Sequence, residues 1–467
     1  MLSSQTSSTH KIDAVSLETE VIPRLSRNTI YKKVIPWLGK GGLAILDHGL
    51  FSGANFLLGI LLARWMSPEQ YGAYALVLSI FILATFLYQA LVLEPISVFS
   101  GTSYSNNLRG YLNSNALLHG GVSLIICAAL GGTAIAARLW WHSPVSAMAF
   151  AGITISAPFL LIHALGRRSF YLKLSPAPAV LGSAFYSVCV VGGAFLVYKL
   201  GGLSAFTAYL VLGAAALVGG LIMLFQLNAK LEPATAMVPL RTTWHKHWEY
   251  GKWALATCIV GWIPTYVYIP LVSKFSGLAL AGELRALMNL GGPVLQTYAA
   301  LSMLFLPLAA RVQNTQGGRG AFKLTLKLTA LFVCGGLVYW GALIPLRAPL
   351  FRMLYAGKYM DASALLPLFA AETIVWSAAL APAILLRAME SPRSLFFANG
   401  AASLLTLLIG VPATRYYGLA GVIWSMVLAN IVYMLVAFIM LRSRLAALKA
   451  DEPDLRVPLR WKNMLSD

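Results

Sequence analysis

The sequence predicts an all-α polytopic membrane protein with about twelve transmembrane helices, arranged as two six-helix lobes around a central cleft. Hydrophobic residues make up 58% of the chain and charged residues only 11%, and the hydrophobic residues fall in blocks of about twenty, the length that spans a bilayer core. An internal repeat is the second observation, because residues 63–72 (ARWMSPEQYG) have a counterpart at 273–282 (SKFSGLALAG). Each segment directly follows a long apolar block. A membrane protein built as one half repeated typically holds a substrate between its halves.

Twelve blocks are predicted to cross the membrane as helices, because a helix satisfies its backbone hydrogen bonds within the segment. The first half contains six of them, at 43–62, 73–93, 116–137, 144–165, 179–198 and 204–225. The second half contains the other six, at 253–272, 284–306, 324–343, 364–385, 394–413 and 418–441. The eighth block is the least regular, since Gly291, Gly292 and Pro293 interrupt it.

The formal net charge of +19 is explained by topology. If the N-terminus is cytoplasmic, 26 of the 35 Lys and Arg residues lie in the inner segments and 9 in the outer loops. This asymmetry is what the positive-inside rule predicts, and it places both termini in the cytoplasm. Nucleic acid is not an expected partner, since the chain contains no basic amphipathic or aromatic-interleaved stretch.

Three segments flank or join the predicted lobes. A flexible cytoplasmic tail is predicted at 1–34, a cytoplasmic linker at 228–252 between the N-terminal lobe (35–227) and the C-terminal lobe (253–441), and a second cytoplasmic tail at 442–467. Residues 1–34 are polar and lack the apolar core and cleavage site of a secretory signal peptide. Because the other loops are short, no extramembrane domain is expected.

Neither a disulfide framework nor a metal centre is predicted. The four cysteines all lie in apolar spans without a CxxC pair, so they are interpreted as small buried hydrophobes. His245, His247 and Glu249 alternate in the linker, but alternate residues lie about 200° apart on a helix. The pattern favours a basic aromatic segment at the membrane surface, formed with Trp244, Lys246 and Trp248.

Polar residues inside the spans are the candidate functional residues, because an ionisable group in the bilayer is costly and normally faces a cavity or a partner. Two spans carry polar stripes with spacings of three and four residues, which place their members on one helix face. The stripe of the first span contains Asp47, His48, Ser52, Asn55 and Gly59. The stripe of the eighth span contains Arg285, Asn289, Gly292 and Gln296.

Two further carboxylates complete the candidate set. Glu372 is predicted near the middle of the tenth span, with Trp376 one turn further on and Pro382 breaking the helix beyond it. Glu94, followed by Pro95, is predicted to end the second span at its inner edge. Each carboxylate has a structural alternative, since a buried carboxylate can simply pair with a neighbouring helix.

Several stretches of the chain carry a specific family resemblance. These are LDHGLFSGANFLLGILLARWMSPEQYGAYALVLSIF (46–81), LVLEPISVFSG (91–101), AGELRALMNLGGPVLQ (281–296), MLYAGKYMDASALLPLF (353–369) and YGLAGVIWSMVLAN (417–430). Together they resemble the polysaccharide flippases, of the O-antigen and exopolysaccharide type, in the multidrug/oligosaccharidyl-lipid/polysaccharide exporter superfamily. The resemblance extends from about residue 38 to residue 441.

The resemblance implies a protein of a prokaryotic inner membrane that turns a polyprenyl-diphosphate-linked oligosaccharide from the inner to the outer leaflet, with a polysaccharide polymerase and chain-length machinery as further partners. A diphosphate needs a cation with hydrogen-bond donors nearby, which Arg285, Asn289 and Gln296 provide. Sugars need hydrogen-bonding and aromatic surfaces. The span residues that offer them are Asn55, Tyr266, Tyr268, Tyr298 and Trp376.

Alternating access driven by an ion gradient or the membrane potential is the expected mechanism, because the chain has no GxxxxGK[ST] loop for ATP. No cofactor is expected beyond a coupling ion, a proton or sodium. Asp47, His48, Glu372 and Glu94 are the candidates for ion coupling or gating.

Three other functions remain open at this stage. An ion-coupled multidrug or cation antiporter would share the fold, but a cleft for cations is expected to be acidic and poor in arginine. A membrane glycosyltransferase, polymerase or ligase would typically carry a large outer loop, and the outer loops here are short. The third alternative is an assembly partner that recruits polysaccharide enzymes without transporting anything.

Overall fold

The computed structural model describes residues 27–172, 176–230 and 236–450, with side chains over 42–172, 176–227 and 236–447. All regular elements in these ranges are helical. The first half contains α1 (Arg27–Trp65), α2 (Pro68–Tyr88), α3 (Glu94–Phe99), α4 (Leu108–Leu139), α5 (Pro144–Leu172), α6 (Ala177–Lys199) and α7 (Ala205–Lys230). The second contains α8 (Leu240–Tyr266), α9 (Tyr268–Phe275), α10 (Leu278–Leu343), α11 (Arg347–Tyr355), α12 (Met360–Ser363), α13 (Leu366–Ala388), α14 (Pro392–Leu405) and α15 (Val411–Ala450).

The described ranges contain nine helices long and apolar enough to cross a membrane, or ten when α8 and α9 count as one span bent by 49°. Two of these helices are double. The 66-residue α10 is broken at Gly317 (φ 61°, ψ −163°), and the helical segment from Pro392 to Ala447 is broken at Gly418 (φ 55°, ψ −136°). Only glycine adopts such backbone angles readily. Division at the two glycines gives the predicted twelve spans.

Glycines, and not prolines, break these helices, which differs from the sequence-based prediction. Pro382 lies inside a continuous α13, and α10 runs without interruption through Pro293. The second span does not end at Glu94. A π-helical turn over Gln89–Leu93 joins α2 to α3 and places Pro95 in the first turn of α3, where a missing N–H leaves no intrahelical bond unmade.

The segments predicted to lie outside the lobes are partly helical. Residues 27–34 belong to α1, much of the 228–252 linker belongs to α7 and α8, and 442–450 continue α15. The rest of the predicted tails, 1–26 and 451–467, lies outside the described residues, as do 231–235 of the linker.

The two halves of the chain form two bundles. In the N-terminal bundle, α5 packs between α4 and α7, and α6 packs against α1 and α7. In the C-terminal bundle, both α10 and α15 pack against α13, and α14 packs against α15. Between the bundles, the main contact joins α2 to α10, flanked by α1 against α10 and by α8 against α2.

The two ends of the molecule differ in how the bundles meet. We call the end where α1 passes into α2 the closed end, and the end where α7 passes into α8 the linker end. One apolar core fills the N-terminal bundle and continues into the closed-end half of the C-terminal bundle, where it includes Leu287, Tyr355 and Phe369. A separate cluster around Phe332 and Leu385 fills the linker-end half of the C-terminal bundle. The bundles therefore share a core at the closed end and have separate cores towards the linker end.

The two repeated segments meet each other at the closed end. A Cβ atom on Gly72 would overlap the carbonyl oxygen of Leu278, and one on Gly282 would lie 2.9 Å from the carbonyl oxygen of Pro68 and 3.2 Å from the backbone nitrogen of Gly72. The two glycines of the internal repeat thus let the backbones of α2 and α10 touch. This explains why the repeat keeps a glycine at the same place in both copies.

We expect Gly72→Ala to lower the thermal unfolding temperature of the purified protein, because the added methyl group overlaps backbone that cannot rotate away. Overpacking of this kind costs about 1–3 kcal/mol. Gly121→Ala is the matched control, since no atom lies within 4 Å of its added Cβ and alanine is about 0.5–1 kcal/mol better than glycine in a helix. Equal unfolding temperatures for the two variants would contradict the close contact.

Candidate functional site

A hydrogen bond crosses between the bundles just below the glycine contact. Asn289 of α10 is buried and donates from Nδ2 to the hydroxyl oxygen of Tyr71 on α2, at 2.7 Å. Gly59 of α1 lies against the Asn289 amide and leaves room for it. Asn289, predicted to bind substrate, therefore holds the bundles together in this conformation.

Arg285 lies one turn from Asn289, at the same contact between the bundles. Its charge interacts with Tyr71 and Tyr74 of α2 and with Tyr266 of α8. The Nε atom is buried and has no hydrogen-bond partner among the described residues. A guanidinium is always charged and carries five N–H donors. Arg285 is therefore a half-buried cation with an unused donor at the junction of the two bundles.

Two cations cap each other's helices at the closed end. Arg64, in the last turn of α1, donates to the carbonyl oxygen of Met353 near the end of α11. Lys358, just after α11, donates from Nζ to the carbonyl oxygens of Arg64 at 2.8 Å and Met66 at 2.6 Å. Terminal helix carbonyls have no intrahelical partner and attract cations. The pair thus forms a reciprocal latch between the bundles.

The latch carries strain. Burial and the nearby positive charge of Arg64 lower the pKa of Lys358, so two like charges are held close together. The turn that presents Lys358 has positive φ at Ala356, Gly357 and Tyr359, which costs energy for the two non-glycine residues. Separation of Arg64 from Lys358 would relieve the repulsion between them.

A second polar contact bridges α1 and α10 nearer the linker end. The ring Nε2 of His48 lies 3.1 Å from Oε1 of Gln296, and both side chains are exposed. His48 is about 25 Å along α1 from its closed end, at 1.5 Å per residue. His48 and Gln296, predicted to gate and to bind substrate respectively, are thus brought together between the bundles.

Asp47 lies next to His48 in sequence but faces the interior of the N-terminal bundle. It is fully buried, and its Oδ2 accepts hydrogen bonds from Arg167 at 2.6 Å and from Tyr171 at 2.6 Å, while Oδ1 accepts one from Ser183. The predicted polar stripe of α1 therefore divides between two surroundings. Asn55, a member of the same stripe, also turns inward and accepts a hydrogen bond from Tyr186 at 2.9 Å.

Glu372 lies within the C-terminal bundle. It is the seventh residue of α13, so it lies nearer the closed end than the predicted middle of the span. Its Oε1 accepts a hydrogen bond from Asn430 Nδ2 at 2.8 Å and its Oε2 one from Thr373 at 3.1 Å. Asn430 lines a cavity of about 190 Å³, which Trp376 also lines. Trp376 therefore lies in a cavity of the C-terminal bundle, on a different helix from Arg285.

The remaining predicted residues lie at the edge of the contact between bundles. Tyr266 of α8 makes an edge-on contact with Phe86 of α2, with ring centroids 6.1 Å apart. Glu94 accepts a hydrogen bond from Gln89 at 3.4 Å and interacts with Cys258 of α8. Both α8 contacts reach across the bundle boundary.

The histidines of the linker point to different surroundings, as the helical spacing predicts. His245 pairs with Glu249 at 3.3 Å on an exposed surface, whereas His247 is buried between the Tyr111 hydroxyl, at 2.7 Å, and the carbonyl oxygen of Leu91, at 2.8 Å. His247 therefore ties the start of α8 to the N-terminal bundle.

Sequence reasoning missed the partners of the buried groups. Arg167, Tyr171 and Ser183 surround Asp47, and Tyr71 faces Arg285, yet none of them was singled out. Arg167 follows a predicted span, where a cation is read as a topology signal. Its side chain also lies over the Phe51 ring at 4.4 Å. Only its proximity to Asp47 reveals its role.

Comparisons with known proteins agree with this architecture. No protein-family model and no curated protein matches the sequence. Solved structures do match: a multidrug resistance MATE family transporter of the MOP superfamily in its inward-facing conformation superposes with a TM-score of 0.75 at 12% identity, covering 87% of this chain and 96% of that one. The lipid II flippase MurJ, in an inward closed conformation, gives 0.64 at 17% identity over 87% of both chains. This protein has the fold of the MOP-superfamily transporters.

The comparison also bears on conformation. An outward-facing conformation of a MATE family transporter of the MOP superfamily gives a TM-score of 0.61 at 14% identity, covering 87% of this chain and 95% of that one. The inward-facing structure fits better.

We expect Arg167→Ala to destabilise the protein by about 3–5 kcal/mol, because it leaves the buried Asp47 carboxylate without its counter-charge. Arg168→Ala is the control: the neighbouring arginine donates to the Ser97 hydroxyl, and loss of one such bond costs about 1 kcal/mol. Adding Asp47→Asn to Arg167→Ala should recover part of the loss. The measurement is thermal unfolding in detergent, and similar melting temperatures for the two single variants would count against a paired Asp47.

We expect Lys358→Ala to shift the protein towards states in which the closed end is open, because two charge-assisted hydrogen bonds are lost, each contributing about 1.5–3 kcal/mol. Spin labels at the exposed Glu69 and Asp361 report the separation of the bundles by electron–electron double resonance. Lys274→Ala is the control, since the Lys274 amine lies over the ring of Phe275 in its own helix. An unchanged distance distribution in Lys358→Ala would show that the latch does not hold the end closed.

Proposed function

We propose that this protein flips polyprenyl-diphosphate-linked oligosaccharide units from the cytoplasmic to the outer leaflet of the inner membrane by alternating access, for the assembly of a surface polysaccharide. The carrying observation is Arg285, a cation with an unused buried donor at the junction of the bundles. The family resemblance of the sequence and the fold shared with a lipid II flippase support the proposal. The charge asymmetry of the sequence supports an orientation with the closed end outside and the linker end inside.

The geometry suggests how the head group would be held. Arg285 binds the diphosphate through its guanidinium group, whose Nε donor has no partner among the described residues, since guanidinium groups pair with phosphate oxygens in a fixed planar geometry. The Tyr71 hydroxyl and the Asn289 amide bind each other in the closed state. When the closed end opens, both become available to the head group. The cargo thus replaces contacts that hold the bundles together, and this couples binding to the conformational change.

The polyprenyl chain remains in the lipid while the head group crosses, so the bundles must open laterally. The contact between His48 and Gln296 bridges α1 and α10 towards the linker end. Both side chains are exposed, and one hydrogen bond joins them, so the contact can be broken easily. We propose that this contact closes the lateral opening and parts when the lipid-linked substrate enters.

We propose Glu372 as the coupling carboxylate and Asp47 as a second candidate. Both Glu372 oxygens accept hydrogen bonds from uncharged groups, so its charge can change without breaking an ion pair. Asp47 has Arg167 as a counter-charge. Moving one charge through 100 mV supplies about 2.3 kcal/mol, enough to bias a two-state transporter.

An ion-coupled multidrug or cation antiporter is the second candidate, favoured by the TM-score of 0.75 with a multidrug resistance transporter. The charges favour the anionic cargo. Asp47 is neutralised by Arg167, and Glu372 lies inside the C-terminal bundle. Arg285, at the junction of α2 and α10, is a cation and would repel a cationic drug.

The first experiment is to locate the lipid-linked repeat units in spheroplasts of a deletion strain, with an impermeant sugar-binding probe added before and after permeabilisation. The proposal expects the units to accumulate in the inner leaflet only. Units exposed on the outer leaflet without this protein would overturn it. Wild-type drug susceptibility of the same strain would argue against the antiporter.

We expect Arg285→Ala to lose transport by at least about tenfold, because loss of a buried charged contact costs about 2–5 kcal/mol. Arg285→Lys should keep part of the activity, since it keeps the charge but loses the planar donor geometry. The control is Arg311→Ala, an exposed arginine further along the same helix. The readout is outer-leaflet exposure of repeat units, and wild-type transport by Arg285→Ala would remove this residue from the site.

We expect Glu372→Gln to abolish the response of transport to pH or sodium gradients, because the amide keeps the shape but cannot change its charge. Asp47→Asn tests the second carboxylate, and Glu69→Gln, exposed at the closed end, is the control. Transport in proteoliposomes with imposed gradients is the measurement. Normal gradient dependence in both the Glu372 and Asp47 variants would show that neither carboxylate couples the ion.

A further inference from the structure

The C-terminal bundle contains an open cavity, lined by both polar and apolar side chains, that the mechanism above does not use. It has two adjoining compartments, of about 190 Å³ and about 340 Å³, bounded by α8, α10, α13, α14 and α15. Arg387, Asn399 and Tyr433 line both compartments. Asn399, Asn430 and Ser302 each make a hydrogen bond within the protein, and the donors and acceptors that they keep are open to a ligand in the cavity.

The first compartment has the lining of a saccharide site. Trp376 and Tyr433 supply aromatic surfaces. The amide nitrogen of Asn430 donates to Glu372 and that of Asn399 to the carbonyl oxygen of Leu395, so each amide keeps its carbonyl oxygen and one N–H for a ligand. Hydroxyl groups both donate and accept, and this is the complement that the two amides offer. Further hydroxyl groups of the lining belong to Ser302 and Thr265 in the first compartment, and to Thr257 and Ser391 in the second.

Arg387 adds a positive charge that the saccharide alone does not need. It lies in the last turn of α13 and interacts with Tyr433. The residues that line the two compartments include no carboxylate. An arginine at a helix C-terminus is often an anchor at the membrane surface. That role does not explain why Arg387 lines both compartments together with two amides and two aromatic rings.

We propose that this cavity binds a pyranose that carries an anionic group, either a phosphate ester or a carboxylate. The anionic group pairs with Arg387, the hydroxyls bond Asn399 and Asn430, and the ring packs on Trp376. The site differs from the Arg285 site, because Ser302 lies about 25 Å further along α10 than Arg285 at 1.5 Å per residue. As a subsite for the sugars of the cargo it rests on the proposed function, whereas binding itself does not.

The test is isothermal titration calorimetry on the full-length protein in detergent, with glucose 1-phosphate, glucuronic acid, glucose and inorganic phosphate as probes. We expect at least one of the two anionic sugars to bind about tenfold or more tightly than glucose and phosphate, since an ionised partner strengthens a hydrogen bond. The tighter of the two identifies the anionic group. Failure of both to bind, or equal binding of glucose, would overturn the proposal.

Variants distinguish binding in this cavity from non-specific effects of substitution on probe binding. Arg387→Gln and Trp376→Ala should each weaken the preferred probe by about tenfold or more, whereas Arg393→Ala, an exposed cation of α14 that lines neither compartment, should not. Loss of probe binding in Arg285→Ala but not in Arg387→Gln would assign the probe to the junction of the bundles and overturn the cavity site. If Trp376→Ala does not fold, Trp376→Leu replaces it, since leucine fills space without offering an aromatic face. Wild-type binding by Arg387→Gln would remove the cation from the site.

The outcome is distinguishable from that of the proposed function. If the anionic sugar binds through Arg387 but repeat units reach the outer leaflet without this protein, the cavity stands and the flippase proposal fails. If the deletion strain traps the units in the inner leaflet but neither anionic sugar binds, the flippase proposal stands and the cavity is not a sugar site.

Discussion

Gly72 and Gly282 bring the backbones of α2 and α10 into direct contact, and this contact sets how the two bundles meet. A larger side chain at either position would hold the helices apart. The hydrogen bond from Asn289 to Tyr71 and the latch of Arg64 and Lys358 all lie close to these glycines and depend on that short separation. Because the shared apolar core is confined to this end, the glycine contact and this core together hold the closed end shut in this structure.

The buried charged residues have different partners in three parts of the molecule. The N-terminal bundle neutralises Asp47 with Arg167, and the C-terminal bundle satisfies Glu372 with uncharged partners. Arg285, at the junction, keeps an unused donor. A buried ion pair contributes little net stability, whereas an unpaired buried group is expensive. The energetic cost of a buried donor without a partner is therefore located at the junction, where a ligand or a change of conformation can supply the missing partner.

The two proposed sites each contain an arginine that can pair with an anionic group. Arg285 and Arg387 lie in different parts of the C-terminal bundle, one at the contact with α2 and one beside the open cavity. A cargo with a diphosphate and several sugars is long enough to need more than one contact. For the proposed cargo, a cation at the junction and a cavity towards the linker end would supply two contacts, both beside α10.

Hydrophobic block length was sufficient to predict the helical class and the twelve spans, because these follow from local composition and from the need of a backbone in lipid to bond within itself. The stripe of α10 also pointed to Arg285 and Asn289 at one face. The positions of the helix breaks were harder to predict from the sequence. Proline is expected to break a helix, but α13 continues through Pro382, whereas Gly317 and Gly418 break the helices that contain them. The partners of the buried side chains could not be predicted from the sequence, because Asp47 bonds residues more than a hundred positions away. Adjacent residues such as Asp47 and His48 face different surroundings. Only the packing of helices that are distant in sequence decides that Asp47 lies inside a bundle and His48 between the bundles.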